Sequence, residues 1–314
     1  MLLRGLRQMS TTSVRSTTAS GSTVYESARA TDEYLQFHYA SPEEILPYDD
    51  APRSGLDFLP RLARTCASAA QPPQGQPRQH GKQPTRALDV GCAVGRASFE
   101  LSRYFDETVG VDFSHAFVAA AAAMQAGGEA PYEAIVEAHV TAQRVAALPG
   151  TTPVMAPAAG DAAAALPPVR PETVSFAQGD ACTLDAAQPA LQNAATGDGT
   201  FDAVLASNLL CRLPAPAEFL ARVPALLRPG GVFVLASPYS WLEEYTAKER
   251  WLGGYCEDEA AGGLPVGSAA TVDALLESHG MELVQRFEAP FVIREHARKF
   301  QWGTSDTTVW RMRE

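Results

Sequence analysis

Apolar residues follow two rhythms along this chain. Short runs at Ala87–Val90, Thr108–Phe113, Val174–Gln178, Phe201–Ala206 and Val232–Ala236 have the length and composition of strands. Between several of them, apolar residues recur every three or four positions. That spacing predicts helices over Arg96–Phe105 (Phe99, Leu101, Tyr104), Ala116–Gln125 and Ala217–Leu227. A further helix is predicted over Val272–His279. Two long β-rich stretches, Glu282–Arg294 and Phe300–Arg311, then follow with no helix between them. Strands alternating with helices imply a parallel sheet with helices on both faces, and the last two strands imply an antiparallel pair at one edge. The expected fold is α/β: a Rossmann-like, seven-stranded, mostly parallel sheet with an antiparallel C-terminal edge strand.

Upstream, Leu56, Leu59, Leu62, Ala63 and Cys66 give Gly55–Ala70 an amphipathic helical pattern, and Tyr25–Arg53 is dense in tyrosine and acids. Both are expected to form an N-terminal helical cap over the sheet, residues 24–70. Three stretches stand outside the pattern. Residues 1–23 are rich in Ser and Thr, carry Arg4, Arg7 and Arg15, and contain no acid. They read as a disordered tail or an organelle transit peptide. The expected location is therefore the cytoplasm, with mitochondrion or plastid as the alternative. Residues 71–84 (Pro, Gln, Gly) and 148–171 (Ala, Pro, Gly) have too few large apolar groups to order themselves and read as disordered inserts. The rest, 24–314, reads as one domain.

Composition narrows the partners. Hydrophobic residues make up 46% of the chain, ample for a full core. The balance of 25 Lys and Arg against 36 Asp and Glu leaves a net charge of −11. Such a surface repels phosphate, which argues against nucleic acid. No apolar run approaches the roughly 20 residues of a membrane helix. Five cysteines, Cys66, Cys92, Cys182, Cys211 and Cys256, show no paired metal-ligand spacing and read as free thiols.

In open α/β sheets, ligands bind beyond the carboxyl ends of the strands, where strand order reverses. That selects the loops at 91–96, 112–115, 180–183, 207–212 and 237–245. The first is the sharpest feature of the chain: Ala87-Leu-Asp-Val-Gly-Cys-Ala-Val-Gly-Arg96 takes a strand through a glycine turn into a helix. Gly91 permits the turn, and the small Cys92 and Ala93 let backbone approach a ligand. A dinucleotide fingerprint needs glycine at 91, 93 and 96, and Ala93 and Arg96 depart from it. The S-adenosylmethionine pattern needs an acid and glycines at 91, 93 and 95. Asp89, Gly91 and Gly95 meet it, and only Ala93 departs. Asp112 ends the next strand, 21 residues after Gly91, where a carboxylate can accept ribose hydroxyls, and Phe113 follows it. Asp180-Ala181 ends the third strand and suits an adenine edge. Either acid alone could instead cap a helix. Together with the closing strand pair and the Arg228-Pro-Gly-Gly231 turn, these elements resemble a class I S-adenosylmethionine-dependent methyltransferase.

Methyltransferases acting on nucleic-acid amino groups carry a [DNS]-P-P-[YF] motif after the fourth strand. Here that position reads Ser207-Asn-Leu-Leu210, which favours a small-molecule acceptor. Further stretches narrow the resemblance: Tyr34-Leu-Gln-Phe-His-Tyr39, Leu46-Pro-Tyr-Asp49, Pro52-Arg-Ser-Gly-Leu-Asp57, Ser237-Pro-Tyr-Ser-Trp-Leu-Glu-Glu244, Arg250-Trp-Leu-Gly-Gly254 and Arg294-Glu-His-Ala-Arg-Lys-Phe-Gln-Trp302. With the Gly91–Gly95 loop, they resemble the 4-mercaptohistidine N1-methyltransferase family, the methyltransferase portion of the ovothiol biosynthesis enzyme. The resemblance covers roughly residues 24–66, 85–145 and 172–312.

That resemblance implies methyl transfer from S-adenosylmethionine to a ring nitrogen of 5-thiohistidine, giving ovothiol A. The iron-binding H-x-x-x-H-x-E of the sulfoxide synthase is absent from this sequence, so a separate synthase is the expected partner. Asn208, Tyr39 and Tyr239 are the candidate catalytic residues. Tyr48, Arg53, Trp241, Glu243, Glu244, Arg294 and His296 are candidates for holding the acceptor. In that scheme an arginine clamps its carboxylate, a glutamate its ammonium and an aromatic ring its imidazole. His38 and His296 are candidates for taking a proton. Two other readings stay open: a different small-molecule acceptor, and a non-catalytic partner of the synthase.

Overall fold

The computed structural model describes residues 24–71, 83–148, 150, 166–194, 196–257 and 263–313. The expected tail, 1–23, and most of the two expected inserts lie outside the described residues. The cap comprises α1 (Ala28–Tyr39), α2 (Pro42–Ile45) and α3 (Phe58–Ala69). The domain continues through β1 (Arg86–Val90), α4 (Arg96–Leu101), β2 (Glu107–Asp112) and α5 (His115–Gly127). A hairpin, β3 (Glu129–Glu137) and β4 (Val140–Ala147), precedes β5 (Val174–Gln178) and β6 (Phe201–Ser207). Then come α6 (Pro216–Leu226), β7 (Leu227–Ser237), the two-residue strands β8 (Tyr255–Cys256) and β9 (Pro265–Val266), and α7 (Ser268–Ser278). The long β10 (Met281–His296) and β11 (Lys299–Met312) follow.

The main sheet has seven strands in the order β10-β11-β7-β6-β1-β2-β5. The five strands from β7 to β5 run parallel. β11 runs antiparallel between β7 and β10, so the antiparallel strand lies one place in from the edge that β10 forms. Strand order reverses between β1 and β6, and the loops leaving those two strands part there.

Alternation along each strand explains why both faces are covered. Leu88, Val90, Val204, Phe233 and Leu235 face one way, onto Phe219 and Leu220 of α6 and Val272 and Leu276 of α7. Ala87, Ala203, Leu205, Val232 and Val234 face the other way, onto α3 and α4 through Leu59, Leu62, Ala63 and Leu101. The amphipathic stripe read from the sequence is thus the seat of the cap helix. At the opening of the β1 and β6 strands, away from the loops, Arg86 is buried and pairs with Glu107 at 2.9 Å, and Arg228 pairs with Asp202 at 2.8 Å.

The pattern gave no element to residues 129–147, which form the β3–β4 hairpin. Its buried Tyr132, Ala134 and Ala146 pack with Phe117 and Met124 of α5. The chain is anchored on both sides of the second expected insert. Leu148 N–H donates to Gly128 O at 2.8 Å, Val169 is buried, and Arg170 Nε donates to Ser102 O at 2.8 Å. All five cysteines are unpaired, and only Cys256 is exposed. Among the described residues no helix is long and apolar enough to cross a membrane.

Candidate active site

A cavity of about 520 Å³ opens where the β1 and β6 loops part, beneath α1 of the cap. Its floor is the set of strand ends selected from the sequence. Asp89, Gly91, Cys92 and Ala93 line it from β1, Asp112 and Phe113 from β2, Asp180 and Ala181 from β5, and Asn208 from β6.

The floor is held by its own backbone. Gly91 turns at φ +76°, and a Cβ there would come within 2.8 Å of Leu209 Cδ1. Its N–H and that of Cys92 both donate to Val111 O, at 2.7 and 3.1 Å. Ala93 is left-handed at φ +47° and donates its N–H to Asp112 Oδ2 at 2.9 Å. Gly95 plays a different part from the one expected. It does not line the cavity: at φ +89° it starts α4, and a Cβ there would meet Phe176 at 2.7 Å.

The charges of the floor fit a cofactor rich in donors. Asp89 Oδ2 accepts the Ser98 hydroxyl at 2.6 Å, and its buried Oδ1 has no partner among the described residues. Burial pushes the Asp89 carboxyl up to about 7, against the pull of Ser98. Asp112 takes the Ala93 and Ser114 amides, yet burial raises it to about 6. Asp180 caps the turn after β5 by accepting Cys182 N–H at 2.9 Å. A ribose diol and an α-ammonium are the donor groups that two such acids and the orphaned Asp89 oxygen would accept.

The roof is aromatic. Tyr25 from the segment before α1, and Tyr34, Phe37 and His38 from α1, line the cavity with Phe117 and Tyr245. Tyr34 packs on Phe117 at 4.6 Å between ring centres, and Tyr25 stacks on Tyr245 at 5.9 Å. Arg212 enters from the end of the β6 loop and lies over the Tyr245 ring at 4.9 Å. Asn208 is held in the left-handed region at φ +52°, a conformation asparagine tolerates well. Ser305, on β11, donates to its Oδ1 at 2.7 Å. Phe291, Ile293 and Gln301 complete the wall from the terminal strand pair.

Several expected residues are elsewhere. Of the three catalytic candidates only Asn208 lines the cavity. Tyr39 is turned about 100° round α1 from His38. It lies behind the β1 loop, donating its hydroxyl to Val94 O at 2.7 Å. Tyr239 donates to Asp306 Oδ2 at 3.0 Å, outside the cavity.

None of the seven acceptor candidates lines it either. Tyr48 is exposed and donates to Ala297 O. Arg53 is half-exposed and lies 4.0 Å from Glu43. Trp241 is in the core, its indole N–H donating to Ser268 Oγ at 2.9 Å. Glu243 and Glu244 are exposed beyond β7. Arg294 Nη1 donates to the Glu44 carbonyl, and His296 accepts from its own turn, at Arg298 N–H.

Strand alternation is the cause on β10. Ile293, paired with Gln301 across the ladder, faces the cavity, so Arg294 next to it faces α2. His38 does line the cavity, but burial and nearby Arg96 push its pKa down to about 3. It is therefore neutral near pH 7 and a weaker base than a solvent-exposed histidine.

Arg212, Tyr25, Tyr34 and Tyr245 were not singled out from the sequence. Arg212 is nevertheless the single charge in Ser207-Asn-Leu-Leu-Cys-Arg-Leu213, within a loop that the switch-point rule selects.

A family model described as a methyltransferase domain matches residues 42–286. None of the curated proteins matches the chain. Among solved structures, the N-methyltransferase NodS from Bradyrhizobium japonicum WM9, in complex with S-adenosyl-L-homocysteine, is 14% identical. The match covers 90% of this chain and 99% of that one, with a TM-score of 0.44. Magnesium protoporphyrin IX methyltransferase (ChlM) from Synechocystis PCC 6803, with bound S-adenosylhomocysteine, is 11% identical over 92% of this chain and 96% of that one, TM-score 0.47. The [4+2]-cyclase SpnF is 14% identical over 96% and 98%, TM-score 0.49.

Proposed function

The chain belongs to the methyltransferase-domain family and uses S-adenosylmethionine as its cofactor, and from that premise we propose that it methylates an imidazole nitrogen of 5-thiohistidine, giving ovothiol A and S-adenosylhomocysteine. The observation that carries this reading is the aromatic roof that α1 lays over the cofactor floor, with Asn208 at the base of the pocket. The cavity of about 520 Å³ has to take the cofactor and the reacting part of the acceptor together, which favours a small acceptor group. The sequence motifs that resemble the 4-mercaptohistidine N1-methyltransferase family run through α1, the β1 loop and the terminal strands, three of the elements that build the pocket.

Bound S-adenosylmethionine supplies a methyl group already activated on a sulfonium. The protein's task is then to position the acceptor and exclude water. Asp112 and Asp180 would hold the adenosine half, and Asp89 the ammonium end. Tyr34, Phe37 and Phe117 offer faces on which an imidazole can stack. Asn208, its Oδ1 already taken by Ser305, keeps its NH2 donors for a ligand. His38 is neutral and buried, and its Nδ1 has no partner among the described residues, so it presents a directional group without a competing charge. Directional hydrogen bonds of this kind would aim a ring nitrogen, rather than the more nucleophilic sulfur, at the methyl. The acceptor's carbon–sulfur bond would be made beforehand by a sulfoxide synthase activity.

The test is direct. Protein incubated with methyl-labelled S-adenosylmethionine and 5-thiohistidine should transfer the label to the imidazole. Transfer only to unmodified histidine, or to neither, would overturn the acceptor assignment.

A further inference from the structure

Arg212 is the one Arg or Lys among the described residues lining the cavity. Its Nη1 donates to Ser240 O at 2.8 Å and to Cys211 O at 3.1 Å. These bonds fix the plane of the guanidinium and leave Nε and Nη2 for another partner. Its electrostatic neighbours are Cys211 and the hydroxyls of Tyr25, Tyr34 and Tyr245. No carboxylate is among them.

A half-buried guanidinium with no carboxylate within ion-pair distance among the described residues is open to an anionic partner, because desolvating a charge is costly unless it is paired. The phenols of Tyr25 and Tyr34 could offset it by ionising, but they do not. Burial pushes the Tyr34 hydroxyl up to about 12 and the Tyr25 hydroxyl higher still. At neutral pH these groups remain donors, as the guanidinium is. Donors gathered round a fixed cation make a site for an anion, and a guanidinium edge matches a planar carboxylate. The cofactor floor carries the opposite sign, through Asp89, Asp112 and Asp180.

We propose that Arg212, with the hydroxyls of Tyr25, Tyr34 and Tyr245, forms a carboxylate subsite that holds the α-carboxylate of the methyl acceptor. This rests on the amino-acid acceptor proposed above. The role given to Arg53 or Arg294 in the sequence then passes to a residue that reaches the cavity. The same chemistry could recognise the methionyl carboxylate of the cofactor, and the experiment separates the two sources.

Calorimetry on wild type and Arg212→Gln decides it, with circular dichroism confirming that the variant is folded and Arg212→Lys included to retain charge. Each protein is titrated with S-adenosylhomocysteine. The saturated complexes are then titrated with 5-thiohistidine and with its carboxamide. Wild type should prefer the carboxylate by about 10- to 100-fold, the weight of a hydrogen bond to a charged group. Arg212→Gln should bind the two compounds alike, Arg212→Lys should lie between, and affinity for S-adenosylhomocysteine should be unchanged.

Loss of S-adenosylhomocysteine affinity in Arg212→Gln would assign the carboxylate to the cofactor and overturn the proposal. A carboxylate preference that survives in the variant would also overturn it. If wild type binds neither thiohistidine compound, the thiohistidine reading fails, and the same titrations with phenylacetate and phenylacetamide test the subsite by itself. A carboxylate preference there that disappears in Arg212→Gln sustains the subsite, and its absence in wild type rejects it.

Discussion

The Asp112 carboxylate accepts the Ala93 amide at 2.9 Å and thereby ties the end of β2 to the turn that leaves β1. Ala93 holds φ +47° at that point, where the related pattern has glycine. A left-handed residue with a Cβ carries a strain of roughly 1–2 kcal/mol. Glycine removes the strain and adds about 0.4–1 kcal/mol of unfolded-state entropy. Losing the buried Ala93 methyl costs about 0.8 kcal/mol more, so Ala93→Gly is expected to leave the stability of the apo protein within about 1 kcal/mol of wild type in urea unfolding. A larger loss of stability would show that the packing of the methyl group outweighs the strain of its backbone.

Asp112 itself is expected to govern cofactor affinity. Asp112→Ala should weaken S-adenosylmethionine binding by about 1.5–3 kcal/mol, the range for hydrogen bonds to a charged group. Burial places its pKa at about 6, so the carboxylate is ionised above that pH and protonated below it. Ribose hydroxyls favour the ionised acceptor. Affinity should thus be highest above pH 6 and fall on acidification through it. Calorimetry across pH 5 to 8 should show this trend in wild type and a shallower one in Asp112→Asn, in which Asp89, at about 7, still titrates.

Asp89 predicts a stability effect of opposite sense. Its folded pKa, about 7, lies above the usual unfolded carboxylate value near 3.9. Between those values the folded state keeps a proton that the unfolded state releases. The resulting stabilisation is present at acid pH and is lost as pH rises through 7. Asp89→Asn mimics the neutral acid, so its stability gain over wild type should be larger at pH 7.5 than at pH 5. An equal gain at both, by urea unfolding without ligand, would place the Asp89 pKa outside that window.

The residues inside and outside the cavity should separate kinetically. Tyr34→Phe is expected to raise the acceptor KM. Tyr39→Phe should leave that KM unchanged but cost about 1–3 kcal/mol of stability, because the Val94 carbonyl loses its donor. Glu243→Gln and Arg53→Gln should alter neither kcat nor KM. Steady-state kinetics with parallel thermal melts would reveal any exchange of these roles.

The contrast between the two halves of the site shows what a sequence carries. The floor was legible because it is local. A strand, Gly91 and a helix start lie within ten residues, and Asp112 and Asp180 end strands whose runs are plain. The antiparallel terminal pair was legible for the same reason. The acceptor side depends on how separate elements meet. On β10 a single step of alternation decides between Ile293, inside, and Arg294, outside. On α1 a turn of about 100° decides between His38 and Tyr39. Residue chemistry favours Arg294 and Tyr39 in both cases, and only the docking of the cap and the register of β10 with β11 correct it. The β3–β4 hairpin escaped because Glu129–Ala147 lacks a long apolar run, and its strands are ordered by packing against α1 and α5.

The central claim is that a ring nitrogen of 5-thiohistidine receives the methyl group. The most direct measurement is mass spectrometry of the product of purified protein, S-adenosylmethionine and 5-thiohistidine, before and after treatment with iodoacetamide. The account predicts a singly methylated product that still takes up one carbamidomethyl group, because its thiol remains free. A methylated product that does not react would place the methyl on sulfur, and no methylated product would remove 5-thiohistidine as the acceptor.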